Sequence, residues 1–167
     1  MDYASTLLGL LPGQRRTPGL QGLIQAVEAY LPPDQVERIR TAAEFGATAH
    51  KGQRRKSGEP YIAHPVAAAE ILAELRVDPD TIVAAILHDV MEDTAIDKAE
   101  IAAQFGESVA EIVDGVTKLD QIKFKSREEA QAESFRKMIL AMVRDLRVIL
   151  VKLADRTHNM RTIDAMQ

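Results

Sequence analysis

Apolar residues in this chain recur at helical spacing, and proline, glycine or aspartate interrupts the pattern at short intervals. The spacing predicts a first helix from about Leu20 to Leu31. "LPPD" then breaks the chain, and Pro33 with Asp34 suits a new helix start, running to about His50. "KGQRRKSGEPYIAHP" carries Gly52, Gly58, Pro60 and Pro65 and reads as a loop dense in positive charge. Pro65 is placed at the first helical position, with His64 just outside it. Ala68, Ile71, Leu72 and Leu75 then mark a buried stripe. Asp78 is a cap before Pro79, and Val83, Ile86, Leu87 and Val90 repeat the stripe. Asp97 and Glu100 stand at capping-box spacing with Gly106 as a stop, and a further helix covers about Glu107 to Val116. "TKLDQIKFKSREEAQ" is polar and irregular, and a long helix is expected from about Arg127 to Val143. The run Val148 to Val151 is β-branched enough to suggest a strand. Against this, Leu146, Ile149, Leu150 and Leu153 form a helical stripe, and no other segment offers a strand partner. The expectation is an all-α fold of about seven or eight helices.

The length of 167 residues suits one domain, and 46% hydrophobic residues suffice for a core. Met1 to Gly19 reads as a lead-in, with residues 20–167 as the domain. The absence of cysteine excludes disulfides and thiolate ligands. A net charge of −4 argues against direct nucleic-acid binding but not against a small anion held by local cations. No apolar run reaches the length of a membrane span, and the N-terminus lacks a basic leader region, so a cytoplasmic protein is expected.

"LHDVMEDT", residues 87–94, places His88 beside Asp89, with Glu92 and Asp93 a turn later. With Val83 at the core direction, His88, Asp89 and Glu92 fall on the opposite side of the helix, together with Thr81, Ala84 and Ala85. Two readings fit. One is a solvated face. In the other, the small alanines admit a neighbouring helix, and a divalent ion offsets the repulsion between buried carboxylates. Imidazole and carboxylate donors suit Mn, Fe, Co or Zn. Further donors would come from His64, at a helix entrance, and from Asp155 in "LADRTHNM", where His158, Asn159 and Thr162 share its helix face. His50 is read as a surface helix end, His158 as a supporting residue, and Met138, Met142 and Met160 as core filler.

The pattern His64, His88–Asp89, Asp155 resembles the HD-type metal phosphohydrolases. The segments "RRKSGEPYIAHP", "HDVMEDT", "FGESVAEIVDGVTKL" and "VKLADRTHNMRT" resemble, in order, the N-terminal hydrolase domain of the RelA/SpoT-type alarmone synthetase/hydrolases, in its hydrolase-competent, SpoT-like branch. The resemblance implies an HD-domain helical bundle and Mn-dependent hydrolysis of the 3′-pyrophosphate of (p)ppGpp, in stringent-response control. It implies Mn2+ on His64, His88, Asp89 and Asp155. Glu92 and Asp93 become the pair that positions or activates water. Arg55 lies against guanine, Lys56 and Ser57 hold the nucleotide, and Asn159 and Thr162 approach ribose and phosphate. Lys51, Arg54, Arg55 and Lys56 supply the cations a polyanion needs, and a planar guanidinium can stack on a base. Nothing resembles the synthetase or regulatory domains of the long members. A fragment of a longer chain is expected, without synthetase activity, its regulatory partners belonging to the full-length protein. Two alternatives stay open: an HD phosphohydrolase for another nucleotide, and a non-catalytic guanine-nucleotide-binding regulatory module.

Overall fold

The computed structural model describes residues 19–120 and 144–163, with short pieces at 135–136 and 139–140. The expected lead-in before Gly19, and nearly all of the expected helix over 127–143 with Met138 and Met142, lie outside the described residues.

Eight helical segments follow in order among the described residues: α1 (Leu20–Glu28), α2 (Pro33–Ala49), α3 (Ala63–Glu74), α4 (Pro79–Leu87), the single turn α5 (Val90–Asp93), α6 (Lys98–Phe105), α7 (Glu107–Asp120) and α8 (Leu146–Arg161). No strand occurs among them beyond one isolated bridge, Arg54 with Pro60. The all-α expectation holds, and Val148–Val151 is helical. Local chemistry sets several boundaries. The Asp78 carboxylate accepts from the Thr81 N–H at the start of α4, and Asp97 accepts from Glu100 N–H at the start of α6. Gly106 ends α6 at φ 94°, a conformation that disfavours side chains.

The centre of the bundle is α4, packed against α2, α3, α7 and α8. Every residue from Thr81 to Leu87 is buried, so of the two readings of the face with Thr81, Ala84 and Ala85 the solvated one fails and the close approach of a neighbouring helix holds. A helix enclosed on all sides needs no wet face, and its alanines admit close neighbours. His64 lies inside α3 rather than before it, with Ile62 at the cap position.

Other expectations are corrected. Leu75 follows the end of α3 and is 65% exposed. On α8 the buried face is Val148, Ile149, Val151, Ala154 and Asp155, leaving Leu146 and Leu153 exposed. A stripe chosen by hydrophobicity alone thus points α8 about half a turn away from the face that carries Asp155 inward. Met160 is exposed, not core. His50 is buried against the Tyr61 ring, with centroids 4.6 Å apart. The stretch 117–120, expected to be irregular, continues α7. Gly115 on α7 lets α8 approach closely: a Cβ there would lie 2.7 Å from a Val148 methyl. That crossing sets the depth of α8, and with it the position of Asp155.

Candidate metal centre and its cleft

Three pieces of backbone bring the expected donors together. His64 comes from the first turn of α3, His88 and Asp89 from the break between α4 and α5, and Asp155 from α8. His64, His88 and Asp155 offer donor atoms within 4.8 Å of one another, and all three are buried. His64 Nε2 lies 3.0 Å from Asp155 Oδ1 and 4.0 Å from Asp89 Oδ2. His88 Nε2 lies 3.2 Å from Asp89 Oδ1 and 3.8 Å from Asp155 Oδ1. The ladder of α4 stops at Leu87, and the His88 ring takes the Ala85 carbonyl through Nδ1 at 2.7 Å. An uninterrupted helix would have given that carbonyl to the Asp89 N–H.

This geometry fits a cation. With its proton on Nδ1, His88 turns a lone pair on Nε2 toward two carboxylate oxygens. Nε2 is buried and has no hydrogen-bond partner. Acceptors facing acceptors away from water are unfavourable unless a positive charge sits between them. The nitrogen and oxygen donors suit a divalent transition ion, and the Nδ1–carbonyl bond is the outer contact that metal-bound histidines ordinarily make.

Around these donors lies a cleft of about 610 Å³. Its rim carries Arg54, Arg55, Lys56 and Ser57, and its floor Asp89, Glu92, Asp93, Asp120 and Asp155. The rim is a short hairpin-like turn: Arg55 N–H donates to Glu59 O, Tyr61 N–H to Gln53 O, and Gly58 takes φ 87°. Ser57 Oγ is 3.3 Å from Glu59 Oε2. Asn159 and Thr162 line the same cleft from α8. Arg55 donates to Asn159 Oδ1 at 2.9 Å, and Asn159 Nδ2 donates to Asp155 Oδ1 at 2.8 Å. The Thr162 hydroxyl donates to the His158 carbonyl at 3.0 Å, which leaves its oxygen free to accept. Every expected site residue except His88 lines this one cleft, and His88 lies buried beside it in the donor cluster.

Three contributors were not anticipated. Tyr61 donates to Asp89 Oδ2 at 2.9 Å, and burial beside Asp89 and Asp93 pushes its phenol well above the usual range. Lys152 bridges Asp155 Oδ2, at 2.7 Å, and Asp120 Oδ1, at 2.5 Å. Lys152 stands three positions before Asp155 on one helix face, a spacing that could have signalled the pair. Asp120 carries no such local signal, since its partner comes from another helix.

Burial opposes ionisation of Asp155, but hydrogen bonds from His64 and Lys152 outweigh it and hold the carboxyl far below its ordinary value. Glu92 moves the other way. Burial raises its pKa first, then the neighbouring Asp120, Asp89 and Asp93, against a smaller opposing pull from Lys152. His158 is pushed down to about 4 by burial and by the nearby His64 and Arg55.

Comparison with known proteins agrees with this geometry. Residues 42–167 match the HD domain family. The chain is 57% identical over 147 residues to the Bifunctional (p)ppGpp synthase/hydrolase SpoT of Escherichia coli K12, covering 88% of this chain and 21% of that protein. It is 62% identical over 119 residues to the guanosine-3′,5′-bis(diphosphate) 3′-pyrophosphohydrolase of Haemophilus influenzae, covering 71% of this chain and 18% of that one. Among solved structures it resembles a metazoan ortholog of SpoT described as hydrolysing ppGpp, with a TM-score of 0.61, 26% identity, and coverage of 81% of this chain and 72% of that one. The chain spans about a fifth of the length of the curated relatives it matches. A helical bundle that gathers two buried histidines and a buried aspartate, with Asp89 beside them, and that matches this family over about three quarters of its length, belongs to the HD-domain family.

Proposed function

We propose that this domain hydrolyses the 3′-pyrophosphate of ppGpp and pppGpp, giving GDP or GTP and pyrophosphate, in control of the stringent response. His64, His88, Asp89 and Asp155 would hold one Mn2+. The observation that carries the reading is the meeting, in one cleft, of a buried donor set suited to a cation and a rim of Arg54, Arg55 and Lys56 suited to a polyanion. The names of the similar proteins support the choice of substrate.

A divalent ion bound there supplies positive charge to a phosphoryl oxygen and lowers the pKa of water. The chain's own groups do the rest. Arg55, Lys56 and Ser57 grip the nucleotide at the rim, with the Arg55 plane available to the guanine face. Asn159 and Thr162 contact ribose and phosphate from α8. Glu92 and Asp93 orient the attacking water and take its proton, and the raised pKa of Glu92 brings it closer to the operating pH of a general base. Water adds to the phosphorus nearest the ribose, the bond from phosphorus to O3′ breaks, and O3′ leaves with a proton. No described helix is long and apolar enough to cross a membrane, and a cytoplasmic location is part of the proposal.

Incubation with ppGpp and Mn2+ tests it. The expected products are GDP and pyrophosphate, lost on chelation and restored by Mn2+, with little turnover of GTP or dGTP. Preference for another nucleotide would move the domain to the broader phosphohydrolase reading. Nucleotide binding without turnover, undisturbed in D89A, would make it a binding module.

A further inference from the structure

His64 is held from both sides by one turn of α8. Asp155 Oδ1 meets its Nε2 at 3.0 Å, and His158, three residues further along, meets its Nδ1 at 2.7 Å. The second contact joins Nδ1 to Nδ1, between rings with centroids 4.9 Å apart and planes tilted by 39°. At that separation one nitrogen carries the proton and the other a lone pair.

Arg55 decides which. Its Nη1 lies 3.5 Å from the same His158 Nδ1, a long contact. A guanidinium only donates, and it stays charged throughout the working pH range. His158 Nδ1 must therefore be the acceptor, with the His158 proton on Nε2. The donor in the ring pair is then His64 Nδ1–H. Asp155 accepts at His64 Nε2, 3.0 Å away, until a cation replaces the proton there; the Nδ1–H bond to His158 then leaves the Nε2 lone pair facing the space between Asp155 and Asp89.

We propose that His158 is a positioning residue for His64, fixing its ring and its proton through an Nδ1–H···Nδ1 bond so that Nε2 is presented to the cation. The proposal rests on the metal reading above and adds a residue to it. It gives His64 the outer contact that the Ala85 carbonyl gives His88, here built from a side chain. It also ties the nucleotide rim to the metal centre, since Arg55 fixes the proton of His158 and His158 that of His64.

Two measurements on metal-free protein test it. In calorimetric titration with Mn2+, H158A is expected to bind about 10- to 100-fold more weakly than wild type, the usual effect of losing such an outer partner. H158N places an oxygen acceptor near the position of Nδ1 and is expected to recover most of the affinity. Long-range nitrogen–proton spectra of the four histidines are expected to show His158 protonated on Nε2 alone. Wild-type affinity in H158A, or a His158 proton on Nδ1, overturns the proposal. Failure of the wild type to bind Mn2+ removes the metal reading, and the proposal with it. If H158A does not fold, H158N and the spectra still decide, because an unrestored affinity in folded H158N also counts against the role.

Discussion

The Arg55 guanidinium donates to the Asn159 side-chain oxygen at 2.9 Å, although 104 positions separate the two residues. Asn159 passes the contact on to Asp155 Oδ1 at 2.8 Å, so a rim cation and a floor carboxylate share one amide. With both of its ends engaged, the amide has a defined orientation.

Arg55→Ala and Asn159→Ala are therefore expected to be coupled. Each alone should lower kcat/KM for ppGpp, with Arg55→Ala acting mainly through KM. In a double-mutant cycle the pair should deviate from additivity by about 0.5–3 kcal/mol, as residues within one network do. Additive losses would mean that the contact does not persist when nucleotide is bound.

Lys152 is 14% exposed and touches two carboxylates, so Lys152→Met leaves Asp155 and Asp120 without their cation. Breaking a buried pair costs about 3–5 kcal/mol, and the low end is expected here because Asp120 remains 23% exposed. Burial pushes the Lys152 pKa down, but hydrogen bonds to Asp120 and Asp155 outweigh it and the pKa is raised. That stability is complete below the ordinary lysine value of about 10.4 and is lost as pH climbs through the folded value. Asp155 is depressed, so its share is present above about 3.9 and is lost as pH falls through the folded value. Urea melts of metal-free protein should show the largest gap between wild type and variant between those limits. A gap independent of pH would exclude the pair as its source.

Gly115→Ala places a methyl 2.7 Å from one Val148 methyl carbon and 3.3 Å from the other. Valine is stiff about χ1 and cannot easily swing aside. A loss of about 1–3 kcal/mol is expected. Thermal melts should show Val148→Ala relieving part of it, so that the double variant is more stable than the two single losses predict. Strict additivity would show that the helices separate instead.

The helices and the residues that meet at the candidate metal centre were legible because both depend on local pattern. Helix starts follow from Asp78 and Asp97, each of which caps within three residues of itself. His64, His88, Asp89 and Asp155 sit in recognisable segments. Facing was harder to read. The α4 stripe leaves its far side open between a solvated face and a helix contact, and enclosure by four helices decides for the contact, while α8 buries Asp155 and Ala154 and exposes Leu146 and Leu153. Hydrophobic spacing reports a preference, and the neighbours decide which face meets them. Lys152–Asp120, Tyr61–Asp89 and His64–His158 were not read from sequence, because each joins separate elements and its partner choice appears only on folding.

The pKa of Glu92 offers a test with two opposite signs. Burial raises it first, and among charges Asp120 raises it most, while Lys152 pulls it down. A general base must be ionised, so a raised pKa sets the acid limb of the kcat/KM profile at higher pH than an ordinary glutamate would. Asp120→Asn removes a repelling charge and also leaves the Lys152 ammonium unneutralised on that side. Both changes lower the Glu92 pKa, so the acid limb should move to lower pH. Lys152→Met removes the opposing pull and should move the limb to higher pH. Glu92→Gln should abolish the limb along with most of the turnover. Rate profiles at saturating Mn2+ distinguish these outcomes. If both charge variants shift the limb in the same direction, or neither shifts it, the group titrating there is not Glu92.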